Sequence, residues 1–149
     1  MNAEKNELLE EEIKLEFNMS RLYELYQQCF ENDKDFWQQM AEEENNHALL
    51  LRTGEMLLDE ESLPEDFLYN NLNELKAVNK KIEDAIAKYR GETPSREEAY
   101  NLAIELEEGA YEFHYQKMMT EKTNSEALQV FQKLNMDDKD HAERIKALL

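Results

Sequence analysis

The chain has 149 residues, 35 acidic against 17 basic side chains, a net charge of -18, and only 3 glycines and 2 prolines. That length accommodates one domain with a proper core, residues 1–149, and long periodic stretches nearly free of Gly and Pro indicate an all-α one. Nucleic-acid phosphates and anionic membranes would be repelled by so acidic a surface, which argues against both as partners and suits a protein that attracts cations.

The single cysteine, Cys29, leaves no intramolecular disulfide and points to a reducing compartment. Met1 to Glu7 is charged and lacks the apolar stretch of a signal peptide. No run approaches the roughly 18 apolar residues of a membrane span. The expected location is the cytoplasm.

In chain order, the first helix is expected from Ala3 to Phe30, ending at the Asn32-Asp33 turn. Its apolar stripe, in alternating steps of three and four, reads Leu9, Ile13, Glu16, Ser20, Tyr23, Gln27, Phe30. Asp35 with Gln38 resembles a capping box for a second helix that reaches about Leu58, with the stripe Trp37, Met40, Glu44, His47, Leu51, Gly54, Leu58. A middle helix opens at Ser62-Leu63-Pro64-Glu65 and continues to Arg90, where Gly91 stops it. It is long enough to serve as a crossover along a bundle, or alternatively to project as an arm onto a second subunit. Ser95 with Glu98 caps a fourth helix that fades near Lys122 and whose stripe is Tyr100, Ile104, Glu107, Tyr111, His114, Met118. Asn124-Ser125 opens the last, which runs to the C-terminus with the stripe Ala127, Phe131, Leu134, Asp138, His141, Ile145, Leu148.

Glu44-Asn45-Asn46-His47 and Asp138-Lys139-Asp140-His141 each place a carboxylate one helical turn before a histidine. Residues three apart share a helix face, so each pair can aim an oxygen and an imidazole nitrogen at one point, which is half of a metal site. Both pairs sit in the apolar seam, and Glu16 and Glu107 interrupt the other two seams. A buried carboxylate protonates, pairs or binds a cation, and no basic residue interrupts any of the four stripes. Two divalent metals would neutralise the four negative charges. The plainer alternative is that His47 and His141 are core histidines bonded to a carboxylate a turn away and never metallated.

An internal repeat relates the two halves. Glu16 aligns on Glu107 at an offset of 91, and Glu44 and His47 align on Asp138 and His141 at an offset of 94. The difference fits in an interhelical turn, so two hairpins of one pattern would be related by a pseudo-twofold axis through the site.

With these motifs the sequence resembles the rubrerythrin-like branch of the ferritin-like di-iron carboxylate superfamily. That fold is a four-helix bundle with a long crossover, in which two helices give one Glu each and two give Glu-x-x-His. The resemblance implies Glu16 and Glu107 as the lone glutamates, and Glu44 with His47 and Asp138 with His141 as the paired motifs. Tyr23, seven residues after Glu16, matches the family's aromatic position. Tyr23 and His114 would stand behind the ligands. Glu108 reads as solvent-facing and becomes the ligand only if its helix is rotated. Three departures stand out: Asp138 is one methylene shorter than the usual Glu, His114 stands where Tyr or Phe is usual, and the four cysteines of a rubredoxin iron site are absent. Electrons would therefore come from a separate protein.

The resemblance implies two iron ions, with manganese or zinc as substitutes, acting on peroxide or dioxygen as an oxidoreductase or in iron handling as a ferroxidase. It also implies a homo-oligomer, dimeric or larger. The competing class is a non-enzymatic ferritin-like bundle with one structural metal or none that acts through protein contacts. Asp138 is the residue that favours it.

Overall fold

In a computed structural model that describes residues 3–58, 72–109 and 126–149, the described residues form five α-helices and no strand. They are α1 (Ala3–Cys29), α2 (Lys34–Leu58), α3 (Leu72–Gly91), α4 (Arg96–Glu107) and α5 (Glu126–Lys146), with one 3-10 turn, Glu31–Asp33, between α1 and α2.

Side-chain pairs along the helices establish the topology. Ser20 Oγ donates to the Ala41 carbonyl at 2.8 Å while Arg52 meets Glu10 at 2.7 Å, so α1 and α2 are antiparallel. Lys76 meets Glu7 at 2.9 Å and Glu83 meets Lys14 at 3.3 Å, so α3 runs parallel to α1. Contacts of Tyr100 with Asp33 and of Glu107 with Tyr23 make α4 antiparallel to α1, and Asp137 with His47 and Arg144 with Glu43 make α5 antiparallel to α2. Hence α2 and α4 point the same way. Two tight hairpins in sequence reach that arrangement only if a long connection carries the chain back, and α3 is that crossover.

A projecting arm is ruled out by how α3 is fastened. Leu75, Ile82, Ile86 and Tyr89 are buried, and Asn79 lies in a buried polar network with α1. Asn18 Nδ2 donates to Asn79 Oδ1 at 3.1 Å, and Asn79 Nδ2 donates to the Glu11 carbonyl at 3.1 Å and to Glu11 Oε2 at 2.8 Å. A satisfied amide network of this kind contributes little net energy but sets the register of the two helices, because any slide leaves buried amides unpaired.

The core follows the predicted seams. Leu9, Ile13, Trp37, Met40, Leu51, Tyr100 and Ile145 are all buried, each aliphatic one worth roughly 1.5–3 kcal/mol of transfer energy. Several helix ends differ from expectation. The first helix stops at Cys29, Phe30 is non-helical (φ -124°, ψ 83°), and α2 begins at Lys34, so Asp35 lies inside the first turn instead of capping it. Tertiary ties decide this: Asp33 accepts from Tyr100 Oη and from Arg96, fixing the turn against α4, while Asp35 still faces the positive end of the helix.

Ser95 caps α4 as expected, its hydroxyl accepting from the Glu98 amide at 3.1 Å. The helix nonetheless leaves α geometry at Glu108 (φ -90°, ψ 1°), ahead of the expected end near Lys122, where Gly109 offers the least helical support of any residue but proline. Residues 110–125 are outside the described set. So are the expected helix starts at Ser62-Leu63-Pro64-Glu65 and Asn124-Ser125. The C-terminal helix ends at Lys146 and finishes in a turn. No described helix is long and apolar enough to cross a membrane.

Candidate metal centre

Four helices deliver their seam carboxylates and histidines to one place in the bundle. Glu16 comes from α1, Glu44 and His47 from α2, Glu107 from α4 and His141 from α5, and all five are buried. Glu44 is the hub. Its Oε1 lies 2.6 Å from His141 Nδ1 and its Oε2 lies 3.4 Å from His47 Nδ1. Glu16 Oε2 is 3.6 Å from His47 Nδ1, Glu107 Oε1 is 3.5 Å from His141 Nδ1, and the two imidazoles stack at 5.1 Å with 21° between planes. Glu44, His47 and His141 each offer a ligand atom, all within 4.8 Å of one another.

Both histidines are oriented alike. Nδ1 faces the carboxylates and Nε2 faces outward, where His47 Nε2 meets Asp137 Oδ2 at 3.3 Å and His141 Nε2 lies 3.7 Å from Glu43 Oε1. Asp137 is in turn paired with Lys133 at 3.1 Å, and Glu43 with Arg144 at 2.9 Å. Glu43 and Asp137 stand one residue before Glu44 and Asp138, so they obey the same offset of 94 that relates the two motifs. The pseudo-twofold repeat thus extends beyond the motif positions to the groups behind the histidines. Sequence reasoning overlooked both residues, although applying the offset to the neighbours of each motif would have found them.

The register expected for α4 is correct, since Glu107 points inward while Glu108 is exposed and pairs with Lys146. Tyr23 stands behind a candidate ligand, donating its hydroxyl proton to Glu107 Oε1 at 2.8 Å. Asp138 lies on α5 between Asp137 and His141, but its side chain is outside the described set, as are all of His114, Tyr111 and Met118 and the side chains of Ala127, Phe131 and Leu134. A further acid that sequence reasoning did not single out, Glu12, is buried one turn before Glu16.

Burial, helped by the neighbouring charge of Glu44, pushes the Glu16 carboxyl up to about 8. For His141, burial alone would lower the imidazolium, but hydrogen bonds to Glu107 and Glu44 and their charges outweigh it and raise the group to about 11. Burial likewise works against an ionised Glu43, yet its hydrogen bonds to Arg144 and the charge of His141 hold it below the usual carboxylate range. In the metal-free protein, protons on Glu16 and His141 therefore offset the negative charge gathered at the centre.

The donor set fits divalent first-row metals. Three carboxylates and two imidazoles supply oxygen and nitrogen ligands of the kind iron, manganese and zinc take. Glu16 Oε2, Glu44 Oε2 and Glu107 Oε2 are buried without a hydrogen-bond partner among the described residues, which is costly unless another species completes them. A family model described as Rubrerythrin matches residues 7–149. The chain belongs to the rubrerythrin family. Neither curated proteins nor solved structures yield a match. Membership of the rubrerythrin family places the chain in the ferritin-like di-iron carboxylate superfamily, in agreement with its all-α bundle and crossover helix.

Proposed function

We propose that this rubrerythrin-family chain is a di-iron carboxylate oxidoreductase that reduces peroxide or dioxygen with electrons from a separate donor protein, or oxidises ferrous iron in iron handling. The observation that carries this reading is the burial of three carboxylate oxygens without hydrogen-bond partners among the described residues, beside two histidines that present Nδ1 to them. Glu16, Glu44, His47, Glu107 and His141 would bind the metals, with Asp138 as the sixth ligand; manganese or zinc could take the place of iron. Two bound ferrous ions would supply the two electrons that cleavage of an O–O bond needs.

The chain's own residues prepare that chemistry. Tyr23 engages one oxygen of Glu107 and so leaves Oε2 for the centre. Asp137 meets the outer nitrogen of His47 at 3.3 Å, which favours a proton on Nε2 and a lone pair on Nδ1, while Glu43, 3.7 Å from His141 Nε2, acts there through its charge. Leu9, Ile13, Trp37 and Leu51 are buried on the same helix stripes as the ligands, which favours exclusion of bulk water from the centre. Asp137→Asn should weaken metal binding about 10- to 100-fold in a competition titration with little change in the metal-free melt, whereas Glu43→Gln should weaken it less and lower the melt, because it also releases Arg144.

Elemental analysis of protein purified without chelator, followed by peroxide consumption with added ferrous ion, tests the proposal. Two irons per chain and turnover support it; the absence of metal after purification and reconstitution sinks it. One observation favours the second reading, a non-enzymatic bundle: Glu44 and His141 already satisfy each other at 2.6 Å. That reading predicts no metal uptake and an unchanged melt in the presence of iron.

A further inference from the structure

Beyond the centre, the aromatic residues between α1, α2 and α4 form a connected path rather than scattered packing. Tyr23, whose hydroxyl donates to Glu107 at 2.8 Å, has its ring 5.0 Å from Trp37, and Trp37 is 5.0 Å from Tyr100. Tyr100 donates its hydroxyl proton to Asp33, and the Arg96 guanidinium lies 4.5 Å over its ring. Asp33 belongs to the turn at the end of the bundle and is partly exposed.

Hydrophobic packing accounts for the rings but not for where the carboxylates stand. Oxidising a phenol by one electron makes it a strong acid, so the step is easy only where a base can accept the proton. Tyr23 has Glu107 and Tyr100 has Asp33. Tyr26 is the internal contrast: its ring is also 5.0 Å from Trp37, yet its buried hydroxyl has no hydrogen-bond partner among the described residues. Of the phenols that touch Trp37, the two with a proton acceptor connect the centre to the bundle end; Tyr26, which also neighbours Tyr23 at 6.1 Å and Phe30 at 5.8 Å, has no acceptor among the described residues and so is the natural control.

We propose that Tyr23, Trp37 and Tyr100 form a one-electron relay between the carboxylate centre and the α1–α2 turn, where an external one-electron reductant docks; the physiological direction rests on the redox reading of the centre given above. Tyr23 gives an electron to an oxidant at the centre and its phenolic proton to Glu107. Trp37 then reduces the Tyr23 radical, which takes its proton back, and the indole passes only the electron because its N–H has the Tyr100 hydroxyl beside it and, among the described residues, no carboxylate to take the proton. Tyr100 reduces the Trp37 radical cation, and its proton goes to Asp33. The reductant finally restores Tyr100, which recovers its proton. One electron has moved inward with no net proton, and two passes balance the reduction of one peroxide to two waters with two protons from solvent.

The test uses metal-free protein, so it stands or falls apart from iron binding. A ruthenium photo-oxidant coupled to the single thiol, Cys29, near the bundle end, injects the hole, and transient absorption follows the indole and phenoxyl radicals. The expected result is an indole radical at Trp37, the only tryptophan, that gives way to a tyrosyl radical. Tyr100→Phe should lose the indole radical, Asp33→Asn should lose it while preserving the shape of the turn, and Tyr26→Phe should leave it unchanged. Failure of the parent protein to form an indole radical overturns the relay. So does equal loss in Tyr26→Phe and Tyr100→Phe, or an undiminished signal in Asp33→Asn.

Discussion

Loading the metal-free protein with ferrous or manganous ion should raise its Tm by roughly 5–10 °C when free metal stands near a hundred times Kd, because one such site adds about 2.7 kcal/mol and a chain of this size gains a few degrees per kcal/mol. The gain should depend on pH with a definite sign. In the metal-free protein Glu16 is raised from 4.5 to about 8 and His141 from 6.5 to about 11, so the native state binds more protons than the unfolded chain between those values. Stability from these groups is complete at low pH and is lost as pH rises through about 8 for Glu16 and about 11 for His141. Metal must displace the same protons, so its affinity should climb as pH rises and about two protons should be released per chain near neutrality. Titration calorimetry in buffers of different ionisation enthalpy measures that release. If no protons are released while metal binds, the ions sit elsewhere.

A second large effect is expected at Glu44. Its side chain is fully buried and holds His141 at 2.6 Å, so Glu44→Ala leaves a buried imidazolium with the longer contacts to Glu107 at 3.5 Å and Glu43 at 3.7 Å, and opens a void beside His47. Breaking a buried pair from one side costs about 3–5 kcal/mol, so the metal-free variant should melt roughly 6–20 °C lower. Metal binding should be lost with it. The double variant Glu44→Leu/His141→Leu replaces the pair with packing and should recover most of the stability while still failing to bind metal. Equal destabilisation in the single and double variants, read by urea unfolding, would show that packing at this point matters more than the charge pair.

How far the centre was legible depended on contrast. A Glu or His in a stripe of Leu, Ile, Trp and Met is conspicuous, so Glu16, Glu44, His47, Glu107 and His141 could be found from periodicity. Glu43 and Asp137 were not conspicuous, because an acid just off the seam in so acidic a chain looks like solvated surface. Asp35 misled for the opposite reason: its local spacing to Gln38 matches a cap, but the chain path at this turn is set by Asp33 reaching Tyr100 and Arg96 some sixty residues away.

The sequence by itself determined the helical class, the inward face of each helix and the repeat that pairs Glu44 and His47 with Asp138 and His141, because all three depend on spacing along a single helix or on an offset between two. Only the tertiary structure decided that α3 lies fastened along α1 by Asn18 and Asn79, and that each histidine turns Nδ1 to the centre and Nε2 toward an acid of the opposite hairpin. Those outcomes depend on rotations and contacts between helices distant in sequence, where a few tenths of a turn exchanges a ligand for a surface charge.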